Sequence, residues 1–278
     1  FLDYLRARGA LGLLSFFSFE WYPYDNVCAA PGPQLAGASD LLTRTLALQR
    51  QHGLPASLPV YIGEYGYSAF AGQDEVDLPG ALLDADTVGT FLADGGATAY
   101  LYGYEPDTLL QESESCNTWG NLVLLQTDSE HHVQHRLATF WETQMLTRDW
   151  VQPGNGKHTL YATSSSATDG AGHRLVRAYA LRRPDGSMSV LLLNVSPGQP
   201  YDVSLRMSTE RSAGGSSEAI QGPLQEWQLS ASNYRWKAGG QAGHPSPDMP
   251  PAHVVLPTGS SVVRLPPYSI TVVTTPPG

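Results

Sequence analysis

A carboxylate stands directly after a run of apolar residues in the segment 58–67, which reads Ile-Gly-Glu-Tyr-Gly around Glu64. The apolar run predicts a buried strand, and the flanking glycines let the chain turn and let a ligand approach the backbone. A buried carboxylate is costly unless it is paired, hydrogen-bonded or used in chemistry, so Glu64 is the first candidate for a reactive group. The alternative is a Glu that caps a helix or accepts hydrogen bonds from loop amides.

A carboxylate, an indole and a phenol end the preceding predicted strand, as Glu20, Trp21 and Tyr22. Glu20 and Tyr22 alternate with Trp21, so in a strand they point to the same side. Neighbouring parallel strands lie about 4.8 Å apart. We therefore expect this group to meet Glu64 at the carboxyl ends of the two strands, where barrel enzymes place their active sites.

The third predicted strand ends in the same way, with Tyr104 and Glu105. Packing alone does not readily explain three consecutive strands with aromatic and acidic carboxyl ends. Carbohydrate chemistry needs this combination, because carboxylates act at the anomeric carbon and flat rings stack on sugars. The sequence therefore predicts a carbohydrate site, to which Tyr67 and Trp119 add further aromatic rings.

The elements that position these residues alternate between strand and helix patterns as far as about residue 150. The predicted strands cover residues 11–19, 58–62 and 97–102. The predicted helices cover residues 39–52, 85–94 and 132–146. Alternation of this kind indicates parallel βα units. Short alternating runs follow, separated by turn signals such as Pro-Asp-Gly, and these are typical of an antiparallel sandwich. We predict an α/β fold, with a partial (β/α)-barrel domain over residues 1–152 and an all-β antiparallel sandwich domain over 153–278.

The number of βα units falls short of a closed barrel. A complete eight-stranded barrel takes about 250 residues, whereas only about 150 residues with three predicted strands precede the sandwich. An incomplete barrel leaves sheet edges unpaired and half of its core uncovered. We therefore expect an N-terminal chain or segment to supply the remaining strands.

The order of these elements resembles strands six to eight of the glycoside hydrolase clan with (β/α)8 barrels and two catalytic glutamates. That clan contains β-xylosidases, β-glucuronidases and heparanase-like enzymes. Its nucleophilic Glu ends strand seven, where Glu64 stands here, and its strand six often ends in His-aromatic-Tyr-Pro, similar to residues 20–23. The resemblance implies that Tyr22 hydrogen-bonds the nucleophile. Glu20 stands where the clan usually has His, and we expect it to contact substrate.

The resemblance implies a retaining glycosidase that cleaves a β-glycosidic bond of an oligosaccharide or glycoside by double displacement, with no cofactor and no metal. Glu64 is then the nucleophile and Tyr22 its orienting partner. The predicted substrate-binding residues are Glu20, Trp21, Tyr67, Tyr104, Glu105 and Trp119. The acid/base Glu of the clan follows an Asn at the end of strand four, and no such segment occurs in these 278 residues. We expect it on the sequence that completes the barrel.

Charge and cysteine content narrow the possible partners and location. The net charge of −10 argues against nucleic acid or an anionic membrane surface as a partner, since both require a basic face. No stretch approaches the roughly 20 apolar residues of a membrane span. Cys28 and Cys116 are either a single bridge or two free thiols, and the composition favours a secreted or periplasmic protein.

Two other readings of the same residues stay open. One is a carbohydrate-binding protein on the same fold that no longer catalyses a reaction, for which the complete protein would lack the acid/base Glu. The other places the function in the sandwich, where Trp227, Tyr234 and Trp236 would form a glycan-binding surface, unless these rings pack on the barrel instead. The sugar, its linkage and endo or exo action depend on loops from the other barrel strands.

Overall fold

The computed structural model describes residues 1–103, 105–113, 115–208, 217–220, 223–260 and 262–277. They form two compact units, the first of Phe1–Phe140 with Trp236–Pro245 and the second of Trp141–Arg235 with Ser246–Gly278. The first unit thus includes a segment from far along the chain, so a single boundary in the sequence does not separate the two units. The predicted division after residue 152 stays a prediction.

The first unit is built on a parallel sheet of three strands, β1 (Phe17–Trp21), β2 (Val60–Tyr65) and β3 (Thr98–Leu101), in the order β1-β2-β3. Helix α2 (Pro31–Gln51) connects the first two strands, and helix α4 (Leu78–Ala93) connects the last two. The parallel βα units predicted from the sequence are therefore confirmed. Within the described residues these three strands do not close into a barrel.

The same part of the chain also contains several shorter elements. They are α1 (Leu2–Ala7), α3 (Gln73–Val76), β4 (Leu110–Ser113), β5 (Thr118–Gly120), β6 (Leu125–Thr127), β7 (Val133–Arg136) and α5 (Ala138–Gln144). Strand β4 pairs with β5 and strand β6 with β7, both antiparallel. A π-helical segment, Met145–Trp150, continues α5.

Several element limits differ from the sequence prediction. Helix α2 begins at Pro31 instead of residue 39, because proline is well suited to the first helical position, where no N–H is needed. The strand predicted over 11–19 begins at Phe17, after a 3-10 turn at Leu11–Leu13. The helix predicted over 132–146 was wrong in its first part, where pairing with β6 makes residues 133–136 a strand.

One face of the parallel sheet is covered and the other is open. Apolar residues of the strands pack with those of the helices into one cluster, which includes Trp21, Leu42, Leu46, Val60, Ile62, Tyr65 and Phe91. Complete burial of a Leu, Ile or Phe side chain contributes about 1.5–3 kcal/mol, so this cluster is the main stabilising contact of the unit. On the opposite face Ser18, Glu20, Tyr100 and Tyr102 are exposed.

The second unit contains an antiparallel sheet of six strands. These are β8 (Thr159–Tyr161), β9 (Val176–Arg182), β10 (Met188–Asn194), β14 (Leu224–Leu229), β17 (Ala252–Leu256) and β19 (Ser269–Thr274), in the order β17-β14-β19-β10-β9-β8. Two further pairs are formed by β11 (Tyr201–Ser204) with β18 (Val262–Leu265) and by β12 (Arg206–Ser208) with β13 (Ser217–Ala219). Strand β15 (Tyr234–Lys237) pairs with β16 (His244–Asp248), and a boundary between the two units falls within each of these strands.

Residues of β18 pack against the six-stranded sheet in one apolar cluster, which contains Val190, Leu192, Val263 and Leu265. The antiparallel pattern predicted from the turn signals is therefore present. The arrangement of these strands as a sandwich stays a prediction. No helix among the described residues combines the length and apolar character that crossing a membrane requires.

The two cysteines are bonded to each other. Cys28 lies in the loop after β1 and Cys116 in the turn between β4 and β5, and their Cα atoms are 5.6 Å apart across 88 residues of sequence. The disulfide settles the choice that the sequence left open between a bridge and free thiols. It ties the loop that follows β1 to the β4–β5 hairpin.

Replacing both Cys28 and Cys116 by Ser should lower the free energy of unfolding by about 2–5 kcal/mol, because a crosslink over 88 residues restricts the unfolded chain strongly. Urea denaturation of the wild type, with and without reductant, measures the effect. Reductant should leave the double Ser variant unchanged. Equal midpoints for the oxidised and fully reduced wild type would contradict the prediction.

Candidate active site

A β-bulge in β2 determines where Glu64 points. Phe19 of β1 pairs with Ile62, but the next residue, Glu20, pairs with Glu64, so Gly63 is an extra residue without a counterpart. Regular alternation would turn Glu64 to the same side as Ile62, which is completely buried. The bulge instead brings Glu64 beside Glu20 on the open face of the sheet.

The hydroxyl of Tyr22 holds the carboxylate of Glu64. Tyr22 Oη donates to Glu64 Oε2 at 3.0 Å. The ring of Tyr22 lies against Gly66, where an added Cβ would stand 3.2 Å from the Cε1 atom of the ring. Tyr102 meets the same ring edge-on, with the ring centroids 6.2 Å apart. These contacts fix the position of the donor.

The surroundings of Tyr22 keep its hydroxyl protonated. Burial, the hydrogen bond to Glu64 and the negative charges of Glu64 and Glu20 all raise the pKa of Tyr22 far above its ordinary value. Tyr22 is therefore a neutral donor throughout the physiological range. A carboxylate held by one fixed donor can attack an electrophilic carbon from a defined direction, or it can bind a polar ligand in a defined position.

The other predicted residues of the first two strands lie in different environments. Glu20 is exposed on the open face next to Glu64. Trp21 is 9% exposed and belongs to the core under the sheet. Tyr67 is fully buried, and its hydroxyl donates to the side chain of Gln34. Neither ring offers an open face for stacking, because both side chains are buried.

The remaining predictions concern the third strand and the hairpin after it. Trp119 is half-buried in β5 and packs on a cluster formed by Val76, Leu109, Leu137 and Trp236. Glu105 is exposed in the loop after β3. Tyr104 lies outside the described residues. The structure thus brings Glu20, Tyr22 and Glu64 together and places Trp119 in a separate cluster.

The aromatic residues considered for the sandwich do not form an exposed surface. Tyr234 is fully buried and Trp236 is only 6% exposed. Trp227 stacks on His253, with ring centroids 4.6 Å apart. A glycan platform made of all three residues is therefore excluded by burial.

Sequence reasoning missed residues that support Tyr22 and the turn after Glu64. Gly66 and Tyr102 flank the ring of Tyr22, and the only signal for them was their place directly after strands. Glu75 accepts a hydrogen bond from the amide of Ser68, in the turn that follows Glu64. Nothing in the local sequence marks Glu75, because its helix is short and its partner comes from the preceding loop.

Comparisons with known proteins address the fold. The chain matches no family model. It also matches no curated protein. Solved structures are similar to it, among them the bifunctional glucanase-xylanase CelM2 from a metagenome library. That structure has a TM-score of 0.57 and 18% identity, and the match covers 100% of this chain and 47% of that chain.

Two further solved structures are similar to the chain to about the same degree. A xyloglucanase of glycoside hydrolase family 44 from Paenibacillus polymyxa has a TM-score of 0.59 and 13% identity, over 100% of this chain and 50% of that one. A 4-O-α-L-rhamnosyl-β-D-glucuronidase from Fusarium oxysporum 12S has a TM-score of 0.58 and 12% identity, over 98% and 56%. The chain spans about half the length of these proteins. Its fold is therefore that of a glycoside hydrolase-like protein.

Proposed function

We propose that the protein is a retaining glycoside hydrolase that cleaves a β-glycosidic bond, with Glu64 as its nucleophile and Tyr22 as the residue that orients it. The observation that carries the proposal is the 3.0 Å hydrogen bond from Tyr22 Oη to Glu64 Oε2, made at the carboxyl ends of two adjacent parallel strands. Catalytic residues of parallel barrels lie at that end of the strands. The fold similarity to glycoside hydrolases supports this class of chemistry.

In this mechanism Glu64 attacks the anomeric carbon while the bond from that carbon to the leaving oxygen breaks. A second carboxyl group, about 5–5.5 Å from the first, gives its proton to the leaving oxygen. The covalent glycosyl-enzyme is then hydrolysed by water, whose proton returns to the second carboxyl. Tyr22 holds the attacking carboxylate through both steps, since its hydroxyl remains a donor at working pH.

We propose that an N-terminal chain or segment supplies the remaining barrel strands and the acid/base Glu. The open face of the sheet supports this part of the proposal, because large rings stand exposed on it. Phe16, for instance, is 49% exposed and stacks on Tyr61 at 5.2 Å. The similar solved structures are about twice as long as this chain. Exposed aromatic surface of this kind is typical of an interface.

The substrate in this proposal is an oligosaccharide or a glycoside. Glu20, next to Glu64, is suited to accept hydrogen bonds from sugar hydroxyls, and Glu105 and Trp119 would contact more distant parts of the substrate. Trp21 and Tyr67 would shape the site from beneath through packing, since both are buried.

We propose that the second unit is an accessory β-sandwich and that the protein works outside the cytoplasm. The packing of β18 on the six-stranded sheet supports the sandwich. The disulfide between Cys28 and Cys116 supports an oxidising location, because such bonds persist in secreted and periplasmic proteins.

Treating the full protein with a panel of 2-deoxy-2-fluoro-glycosyl fluorides should leave a covalent adduct on Glu64, identified by peptide mass spectrometry. The fluorine slows hydrolysis of the glycosyl-enzyme, so a retaining nucleophile stays labelled. Glu64→Gln should take no label, whereas Glu130→Gln, which changes an exposed Glu of the same unit, should be labelled like the wild type.

An adduct on Glu20 instead of Glu64 would overturn the assignment of the nucleophile. If the complete protein binds glycans but takes no label from any sugar of the panel, the non-catalytic carbohydrate-binding alternative replaces the proposal.

Tyr22→Phe should slow labelling of Glu64 about 10- to 100-fold. The variant keeps the ring but removes a hydrogen bond to a charged group, which is worth about 1.5–3 kcal/mol. The labelling rate at saturating inactivator measures the effect. The control is Tyr4→Phe, which changes an exposed tyrosine of α1 and should react at the wild-type rate. An unchanged rate in Tyr22→Phe would contradict the orienting role.

A further inference from the structure

Two carboxyl groups are buried behind the turn that follows Glu64. Glu75 of helix α3 is 5% exposed, and Asp84 of helix α4 is 1% exposed. Both line one small cavity, whose wall toward the candidate site is formed by Tyr22 and Gly66. Buried carboxyl groups are rare unless they are paired, so this pair needs a physical explanation.

Glu75 binds the backbone of the turn directly. Its Oε1 atom accepts from the amide of Ser68 at 2.5 Å, and the amide of Tyr67 also donates to its carboxylate. These amides follow Gly66, which touches the ring of Tyr22. A carboxylate that accepts two amide hydrogen bonds is stabilised in its charged form. Glu75 therefore connects the interior of the unit to the residues that hold Glu64.

Asp84 has the opposite character. Its Oδ1 atom has no hydrogen-bond partner among the residues that the structure describes, and the same holds for Oγ1 of Thr139 on the wall of the same cavity. An ionised carboxylate in such a place would be strongly destabilising. The cavity has room for one water molecule, whose centre can move within about 10 Å³. A water in this place would bridge the two unpaired oxygen atoms.

The surrounding charges make a second ionisation costlier. Burial raises the pKa of Asp84 to about 8. Burial and the neighbouring Asp84 raise the pKa of Glu75 well above its ordinary value, although its two amide hydrogen bonds act in the opposite direction. The other titratable group acting on Glu75 is Asp74, whose own pKa is raised to about 7 by burial and by Asp77. All of these neighbours are acidic, so none compensates a second negative charge.

We propose that Glu75 and Asp84 share one proton, with a water molecule in the cavity between them, and act as positioning residues that hold the turn after Glu64. The pair holds this proton jointly, and the carboxyl of Glu75 accepts the hydrogen bonds from the amides of Tyr67 and Ser68. This turn keeps Gly66 in contact with the ring of Tyr22, and the hydroxyl of Tyr22 holds Glu64. The positioning role rests on the proposed function, whereas the shared proton does not.

Loss of this proton has two consequences. Above about pH 8 the two carboxylates repel each other, and the turn that supports Tyr22 loosens. The pKa of Asp84 is about 8 in the folded state and about 3.9 in the unfolded state. Between about pH 4 and pH 8 the folded state therefore keeps a proton that the unfolded state has lost. The free energy of unfolding therefore falls as pH rises from about 4 to about 8, and then levels off.

The shared proton is tested without any assay of activity. Urea denaturation of the full protein between about pH 5 and pH 8 compares the wild type with Asp84→Asn, which keeps the shape of the side chain but cannot ionise. The wild type should lose stability relative to the variant across this range. Asp40→Asn, at an exposed position of α2, should follow the wild type.

Parallel pH dependence in the wild type and Asp84→Asn would overturn the shared proton. Glu75→Gln provides a second test, should Asp84→Asn fail to fold. It removes the other carboxyl, which lets Asp84 ionise at lower pH, and it should reduce the same slope. An unchanged slope in Glu75→Gln would overturn the pairing as well.

The positioning role is tested by the pH dependence of labelling at Glu64, with the glycosyl fluoride that labels the wild type. Fluoride leaves without a proton donor, so the acid/base group does not limit this reaction at high pH. The labelling rate of the wild type should fall about tenfold between about pH 7.5 and pH 9.5, and that of Asp84→Asn should stay within about twofold.

An equal fall in the wild type and Asp84→Asn would overturn the positioning role. The absence of labelling in the wild type would overturn the proposed function and the positioning role together. The stability measurement decides the shared proton in either case, so the two failures are distinguishable.

Discussion

The β-bulge at Gly63 decides which face of the parallel sheet receives Glu64, and the candidate site depends on that choice. Ile62 and Tyr65 both enter the core although they stand three positions apart in one strand, which regular alternation does not allow. The extra residue brings Glu64 out beside Glu20. Without it, the carboxylate would lie among Ile62 and its apolar neighbours, where an unpaired charge is strongly unfavourable.

The two faces of the parallel sheet differ, because one packs against helices and the other carries the residues of the candidate site. Helices α2 and α4 cover one face through Leu42, Leu46 and Phe91, which are almost completely buried. The rigid packing on this side holds the strand ends in place, as a site built from side chains of several strands requires. The opposite face carries the carboxylates and exposed rings such as Tyr100. The chain spans about half the length of the glycoside hydrolase structures to which its fold is similar.

The turn after β2 connects the exposed site with the buried interior. On its outer side Gly66 touches Tyr22, and on its inner side the amide of Ser68 donates to Glu75. Because the turn is held from both sides, the hydroxyl of Tyr22 keeps its direction toward Glu64. The disulfide restrains the neighbouring loop after β1, which begins with Tyr22. The candidate site thus includes loop residues that the surrounding contacts hold in place.

Local sequence patterns were sufficient for the three parallel strands and for the expectation that Glu20, Trp21 and Tyr22 lie near Glu64. Buried parallel strands read as apolar runs, and residues at the ends of adjacent strands must be neighbours whatever the rest of the fold does. The hydrogen bond from Tyr22 to Glu64 was predicted only by the resemblance to a glycoside hydrolase clan. In the structure the Tyr22 hydroxyl donates to Glu64 Oε2 at 3.0 Å.

Other features were decided only by tertiary structure. The register shift at Gly63 depends on pairing with β1, the bond between Cys28 and Cys116 spans 88 residues, and the strand at 133–136 exists because β6 pairs with it. Glu75 and Asp84 stand on separate helices, and nothing in either local sequence shows that one cavity buries both. Each of these depends on contacts between distant segments. Their free energy comes from burial and pairing in the folded chain, and the local order of residues does not encode it.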